Sequence, residues 1–159
     1  ITMKITHLNK DGNANMVDIS DKAETTRIAT AQTVMVFNEE TYQVLKKGYV
    51  KKGDILSVAK TAGIMGAKQT SNIIPMCHPL NITSINIEYT FNDEAQELTI
   101  QSTVKITGMT GVEMEALTAV AVAGLTVIDM VKAIDPSATI TDVKMIHKDG
   151  GRNGEWNRS

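Results

Sequence analysis

The stretch SINIEYTFNDEAQELTIQSTVKI, Ser84 to Ile106, alternates apolar and polar residues on both sides of an Asn92-Asp93 turn. Ile85, Ile87, Tyr89 and Phe91 oppose Asn86, Glu88 and Thr90; Leu98, Ile100, Val104 and Ile106 oppose Thr99, Gln101, Thr103 and Lys105. A period of two sends successive side chains to opposite faces, so the pattern predicts an antiparallel hairpin with one buried face. The next run, GVEMEALTAVAVAGLTVIDMVK (Gly111–Lys132), keeps its charges at the two ends and has none from Ala116 to Ile128. It predicts one long helix over 112–134, about 34 Å at 1.5 Å per residue.

Upstream, the β-branched residues Ile28, Thr30, Thr33, Val34 and Val36 predict a strand over 27–37. Asn38 then caps a short helix with Tyr42 and Leu45 inward and Gly48 ending it. A second helix begins at Asp54, with Ile55, Val58, Ala59, Ala62 and Met65 at helical spacing. Pro75 and Pro79 bracket the loop IIPMCHPL, and Ala138 to His147 reads as a last strand. The order strand, helices, two strands, helix, strand is the split βαβ pattern. It predicts an α+β, ferredoxin-like sandwich: an antiparallel sheet with helices packed on one face. Without an internal repeat, linker or low-complexity tract, residues 1–159 read as a single domain, with an N-terminal arm over 1–20 and a mobile tail over 149–159.

Composition narrows the function. A formal net charge of -2 and 4% aromatic residues argue against a general nucleic-acid binder, which needs a basic face and stacking platforms. Cys77 is the one cysteine, so there is neither a disulfide framework nor a zinc-type Cys/His spacing, and no metal site is expected. A reducing, cytoplasmic setting follows. The first residues lack an apolar signal core, and no stretch reads as long enough for a membrane span, so no membrane partner is expected.

The long helix poses a geometric problem. Glu115 and Asp129 are fourteen positions apart, which leaves them about 40° apart in azimuth but roughly 21 Å apart along the axis. One small-molecule site cannot use both from the same copy. Either they serve different sites, or two subunits bring opposite helix ends together. Each end also has an ordinary explanation: acids favour a helix's first turn through its dipole, and Asp129 with Lys132 could be a surface i,i+3 pair. Elsewhere, His78 sits on a proline-stiffened loop, where it could donate to a phosphate or carry a proton near neutral pH. Lys46, Lys47, Lys51, Lys52, Lys60 and Lys68 cluster in sequence around the second helix, a pattern suited to a polyphosphate or to a solvated face. KDGGRNG (Lys148–Gly154) has the look of a phosphate-cradling loop but opens no helix.

MVDIS (Met16–Ser20), KGD (Lys52–Asp54), AGIMGAK (Ala62–Lys68), IIPMCHPL (Ile73–Leu80), TGVEMEALTA (Thr110–Ala119) and DMVKA (Asp129–Ala133) occur in fixed order. Together they closely resemble the cyclic pyranopterin monophosphate synthase family, the MoaC-type proteins of molybdenum-cofactor biosynthesis, over residues 6–155. The resemblance implies a homohexamer, a trimer of dimers with active sites at subunit interfaces. It implies a lyase reaction in which a 3′,8-cyclised dihydro-GTP, made by an upstream radical GTP cyclase, becomes cyclic pyranopterin monophosphate with release of pyrophosphate. It implies no cofactor, and allows a transient contact with that cyclase. Residue by residue, Asp129, Lys132 and Lys52 match the family's catalytic set. Met76, Cys77 and His78 match its substrate-contacting loop, and Glu113, Met114 and Glu115 the substrate-contacting start of the long helix. Lys68, Arg27, Lys22 and Lys148 fall where the family places further basic residues around the pocket. Carboxylates at Glu113 or Glu115 would accept from a guanine-derived N–H edge, while lysines offset the triphosphate charge. The alternative is a non-catalytic nucleotide-binding regulatory domain of the same fold, which would have no need of the Asp129/Lys132 pair.

Overall fold

A computed structural model describes residues 13–21 and 24–159. The first strand, β1 (Thr25–Val36), turns its odd positions Ala29, Ala31, Thr33 and Met35 inward, all fully buried. α1 (Glu39–Lys47) starts where expected: the Asn38 side chain accepts from the Thr41 N–H, and Gly48 closes it in the left-handed conformation at φ 94°. A two-residue ribbon, β2 (Tyr49–Val50) with β3 (Gly53–Asp54), leads into α2 (Ile55–Lys68), whose cap Asp54 accepts from the Ser57 N–H. A short turn of helix, α3 (Thr70–Ile73), precedes the proline loop.

The hairpin forms as β4 (Ser84–Asn92) and β5 (Glu97–Gly108), in antiparallel register with Ile87 opposite Ser102 and Phe91 opposite Leu98. α4 (Glu113–Val131) follows, then β6 (Thr139–Asp149). The sheet order is β4-β5-β1-β6, continued by β7 (Trp156–Asn157), and every pairing is antiparallel. Setting β7 aside, the two strands joined by the hairpin lie on one side of β1 and the last long strand on the other. This is the ferredoxin-like arrangement.

The sheet's inner face (Ile87, Leu98, Ile100, Val104, Ile106) meets Ala116, Ala119, Val120, Ala123 and Val127 of α4. Ser102 sits on this apolar face at 0% exposure and is satisfied by donating its hydroxyl to the Ala116 carbonyl at 2.6 Å. α2 packs on α4 at very short range. A Cβ on Gly63 would stand 2.9 Å from the Ala119 carbonyl oxygen, so only glycine lets the two backbones approach this closely.

Two expectations change. By length and composition, α4 is long and apolar enough to cross a membrane, contrary to the reading that no stretch was. Its apolar positions are instead taken by the sheet and α2, which is how a core helix comes to look like a membrane span. The tail over 149–159 also ends in a strand. Trp156 pairs with Lys148 and Asn157 with His147, and the Arg158 backbone N–H donates to the Ile146 carbonyl at 2.9 Å. The edge of β6 offers unpaired backbone groups, and pairing there satisfies them. Of the N-terminal arm, residues 1–12 lie outside the described residues.

Candidate active site

At the C-terminal end of α4, Asp129 is clasped by two lysines. Lys132 donates to Asp129 Oδ1 at 2.8 Å, one helical turn on. Lys52, on the turn between β2 and β3, donates to Asp129 Oδ2 at 3.3 Å and to the Asp129 carbonyl at 3.1 Å. Hydrogen bonds from Lys132 and Lys52, reinforced by their charges, hold the Asp129 carboxyl below its usual range. All three side chains are about half exposed and open to a ligand. The helix end is itself fixed by Asp135, which is 1% exposed and accepts from the backbone N–H groups of Asn38 and Ser137. Burial alone would raise the Asp135 carboxyl; the hydrogen bonds from Ser137 and Asn38 more than offset it and hold the group ionised.

The other end of α4 is arranged differently. Glu115 is only 4% exposed, and burial pushes its carboxyl up to about 7, with the charge of Glu113 adding to the rise. Cys77, half-buried, is raised by burial and then by the charges of Glu115 and Glu113, which sets the proline loop against the start of α4. Glu113 is half-exposed and faces Lys148 at 3.7 Å. Arg27 lies close by, because the β1–β6 register puts Ala29 opposite Lys148 and Ile28 opposite Asp149. Its Nε donates to the Gly108 carbonyl at 3.1 Å. Gly151 (φ 82°) passes over the Arg27 guanidinium so closely that a Cβ would stand 2.2 Å from Nη1, so KDGGRNG wraps this arginine.

The residues singled out from the sequence thus fall into two groups. Lys52, Asp129 and Lys132 form one. Cys77, Glu113, Glu115, Lys148 and Arg27 form the other, with the half-buried Met76, His78 and Met114 beside them in sequence. Lys68 is exposed at the last residue of α2, and Lys22 lies outside the described residues. The groups sit at opposite ends of α4, roughly 21 Å apart along its axis at 1.5 Å per residue. Sequence reasoning passed over Asp18, whose carboxyl is held low mainly by hydrogen bonds from Ser20 and feels the His78 charge as a smaller effect. The MVDIS motif was its available signal. Asp135 had no such signal, because its partners on Asn38 come from 97 positions away.

A buried carboxylate raised to about 7 at one end of a core helix, and an ionised one between two lysines at the other, mark this as a ferredoxin-like α+β protein with its charged candidate residues gathered at the two ends of α4. The MoaC family model matches residues 16–151, and the chain belongs to the MoaC family. It is similar to the cyclic pyranopterin monophosphate synthase of Syntrophomonas wolfei, 53% identical over 152 residues covering 96% of this chain and 97% of that protein. Its similarity to the synthase of the same name from Desulfitobacterium hafniense is 51% over 156 residues, covering 98% and 95%. That from Clostridium perfringens is 49% identical over 154 residues, covering 97% and 98%.

Proposed function

We propose that this chain is a cyclic pyranopterin monophosphate synthase of molybdenum-cofactor biosynthesis, a lyase. It takes a 3′,8-cyclised dihydro-GTP to cyclic pyranopterin monophosphate and releases pyrophosphate. The observation that carries this reading is the Lys52–Asp129–Lys132 cluster, one carboxylate gripped by two cations on the surface. The two lysines offer donors and positive charge to the triphosphate, and Asp129 holds their ammonium groups in place. In the last step a ribose-derived hydroxyl attacks the α-phosphorus, the bond to the β-phosphate oxygen breaks, and the lysines stabilise the departing pyrophosphate.

Ring opening and reclosure need a group that both gives and takes a proton near neutral pH. Glu115, with its carboxyl raised to about 7, suits that task better than Asp129, which is held ionised. Glu113 and Lys148 orient the guanine-derived rings, with Met76, Cys77, His78 and Met114 as neighbouring walls and Arg27, Lys68 and Lys22 as further cations. Since the two groups lie too far apart to share one small molecule within a chain, the site assembles from two subunits of a cytoplasmic homohexamer. The substrate then arrives free or by contact with the radical GTP cyclase that makes it.

The test is pyrophosphate release from the cyclised dihydro-GTP by wild type and by Asp129→Asn. Release by wild type and a loss of about 100-fold or more in a folded variant, whose two lysines are no longer held against the departing pyrophosphate, is the expected outcome. No release from well-folded wild type, with binding intact, would move the chain to the nucleotide-binding alternative.

A further inference from the structure

The chain has one tryptophan, Trp156, on the segment that sequence patterning reads as a loose tail. It is 39% exposed, so one part of the ring is available to a ligand. It does not stand alone on the surface. Trp156, Glu113, Met145 and Lys148 line one hollow of about 250 Å³. Strand pairing fixes the ring there, because Trp156 is the direct register partner of Lys148. The following residue but one reinforces it: the Arg158 guanidinium stands 5.5 Å from the indole centroid, and its Nε donates to the Met145 carbonyl at 2.6 Å. One short strand thus brings an aromatic plane, backed by the Arg158 guanidinium, to a hollow that already holds a carboxylate facing an ammonium at 3.7 Å.

The ring and the carboxylate match the two recognition features of a guanine base: a flat heterocycle stacks on an indole, and a carboxylate accepts from the amino and ring N–H edge of guanine. We propose that β7 is part of the substrate site and that Trp156 is the stacking surface for the guanine-derived rings of the substrate. The proposal rests on the synthase reading for the identity of that substrate. Its two tests separate from it.

Because Trp156 is the sole tryptophan, its fluorescence reports this hollow alone. GTP is the probe, as the guanine triphosphate that the chain would bind without turning over. The expected result is saturable quenching by GTP, weaker quenching by ATP, whose edge offers Glu113 a different donor pattern, and none by inorganic tripolyphosphate. The second test is kinetic. Trp156→Leu, which keeps apolar bulk on the strand but lacks the ring, raises KM for the cyclised dihydro-GTP about tenfold with kcat little changed, and Trp156→Phe restores most of the loss. A KM unaltered in Trp156→Leu, or fluorescence equally indifferent to GTP and tripolyphosphate, overturns the stacking role while leaving the synthase reading in place. Quenching by GTP in a chain that releases no pyrophosphate does the reverse.

Discussion

The two ends of α4 each present a carboxylate, yet the protein treats them in opposite ways. Asp129 is about half exposed and held ionised by Lys132 and Lys52. Glu115 is buried, and removal from water pushes it up to about 7. The same functional group is therefore held ionised in one place and kept protonated up to about 7 in the other. Chain position does not decide this; the neighbours brought in by α2, the β2–β3 turn and the proline loop do.

The largest effect should come from separating the two ends onto different subunits. Asp129→Asn and Glu115→Gln chains, each inactive alone, are expected to regain about a quarter of wild-type turnover when mixed and reassembled, the share of interfaces that pair two intact halves by chance. Turnover that stays absent in verified mixed oligomers would mean that each site is built within one chain.

The buried end is the next to probe. Folded Glu115 keeps its proton up to about 7, whereas the unfolded group releases it near the ordinary value of 4.5. The native state therefore binds more protons between these values, and stability falls as pH rises through that window before levelling off above it. Glu115→Gln mimics the protonated form and should escape the loss. The variant is expected to match wild type at pH 4 and exceed it by on the order of 3 kcal/mol at pH 8, read from urea midpoints. Parallel curves for the two proteins would show that Glu115 is not strained by burial.

The smallest effect on folding belongs to the exposed end. Lys52→Ala removes two hydrogen bonds to Asp129 on an open surface, so the melting temperature should stay where it was while turnover drops. A fall in stability as large as the fall in activity would make Lys52 a structural residue.

Much of the fold was legible because its signals are local. The hairpin follows from alternation at Ile85–Phe91 and Leu98–Ile106, and the caps at Asn38 and Asp54 act within three residues of themselves. The grouping of site residues was less so. Spacing on α4 separated Glu115 from Asp129, but only tertiary contact shows that Lys52 reaches Asp129 from 77 positions away. Trp156 was missed for a related reason. A two-residue strand has no periodicity to read, and its place is decided by the free edge of β6 rather than by its own residues. Asp135, between a helix and a proline, gives no local sign of its burial; its partner Asn38 lies 97 positions away.

α4 also constrains how this chain can vary over time. Its residues can be exchanged, as long as small ones face α2, but its length cannot drift. A single inserted residue in the uncharged middle would swing Asp129 by about 100° around the axis relative to Glu115, and shift it by about 1.5 Å. The β2–β3 turn and the proline loop, which belong to other parts of the chain, would not follow. Substitutions there are absorbed one side chain at a time, whereas an insertion or deletion disconnects one end from its partners at a stroke. Relatives of this protein should therefore differ in length at the termini and in the loops, and keep the count from Glu115 to Asp129 at fourteen.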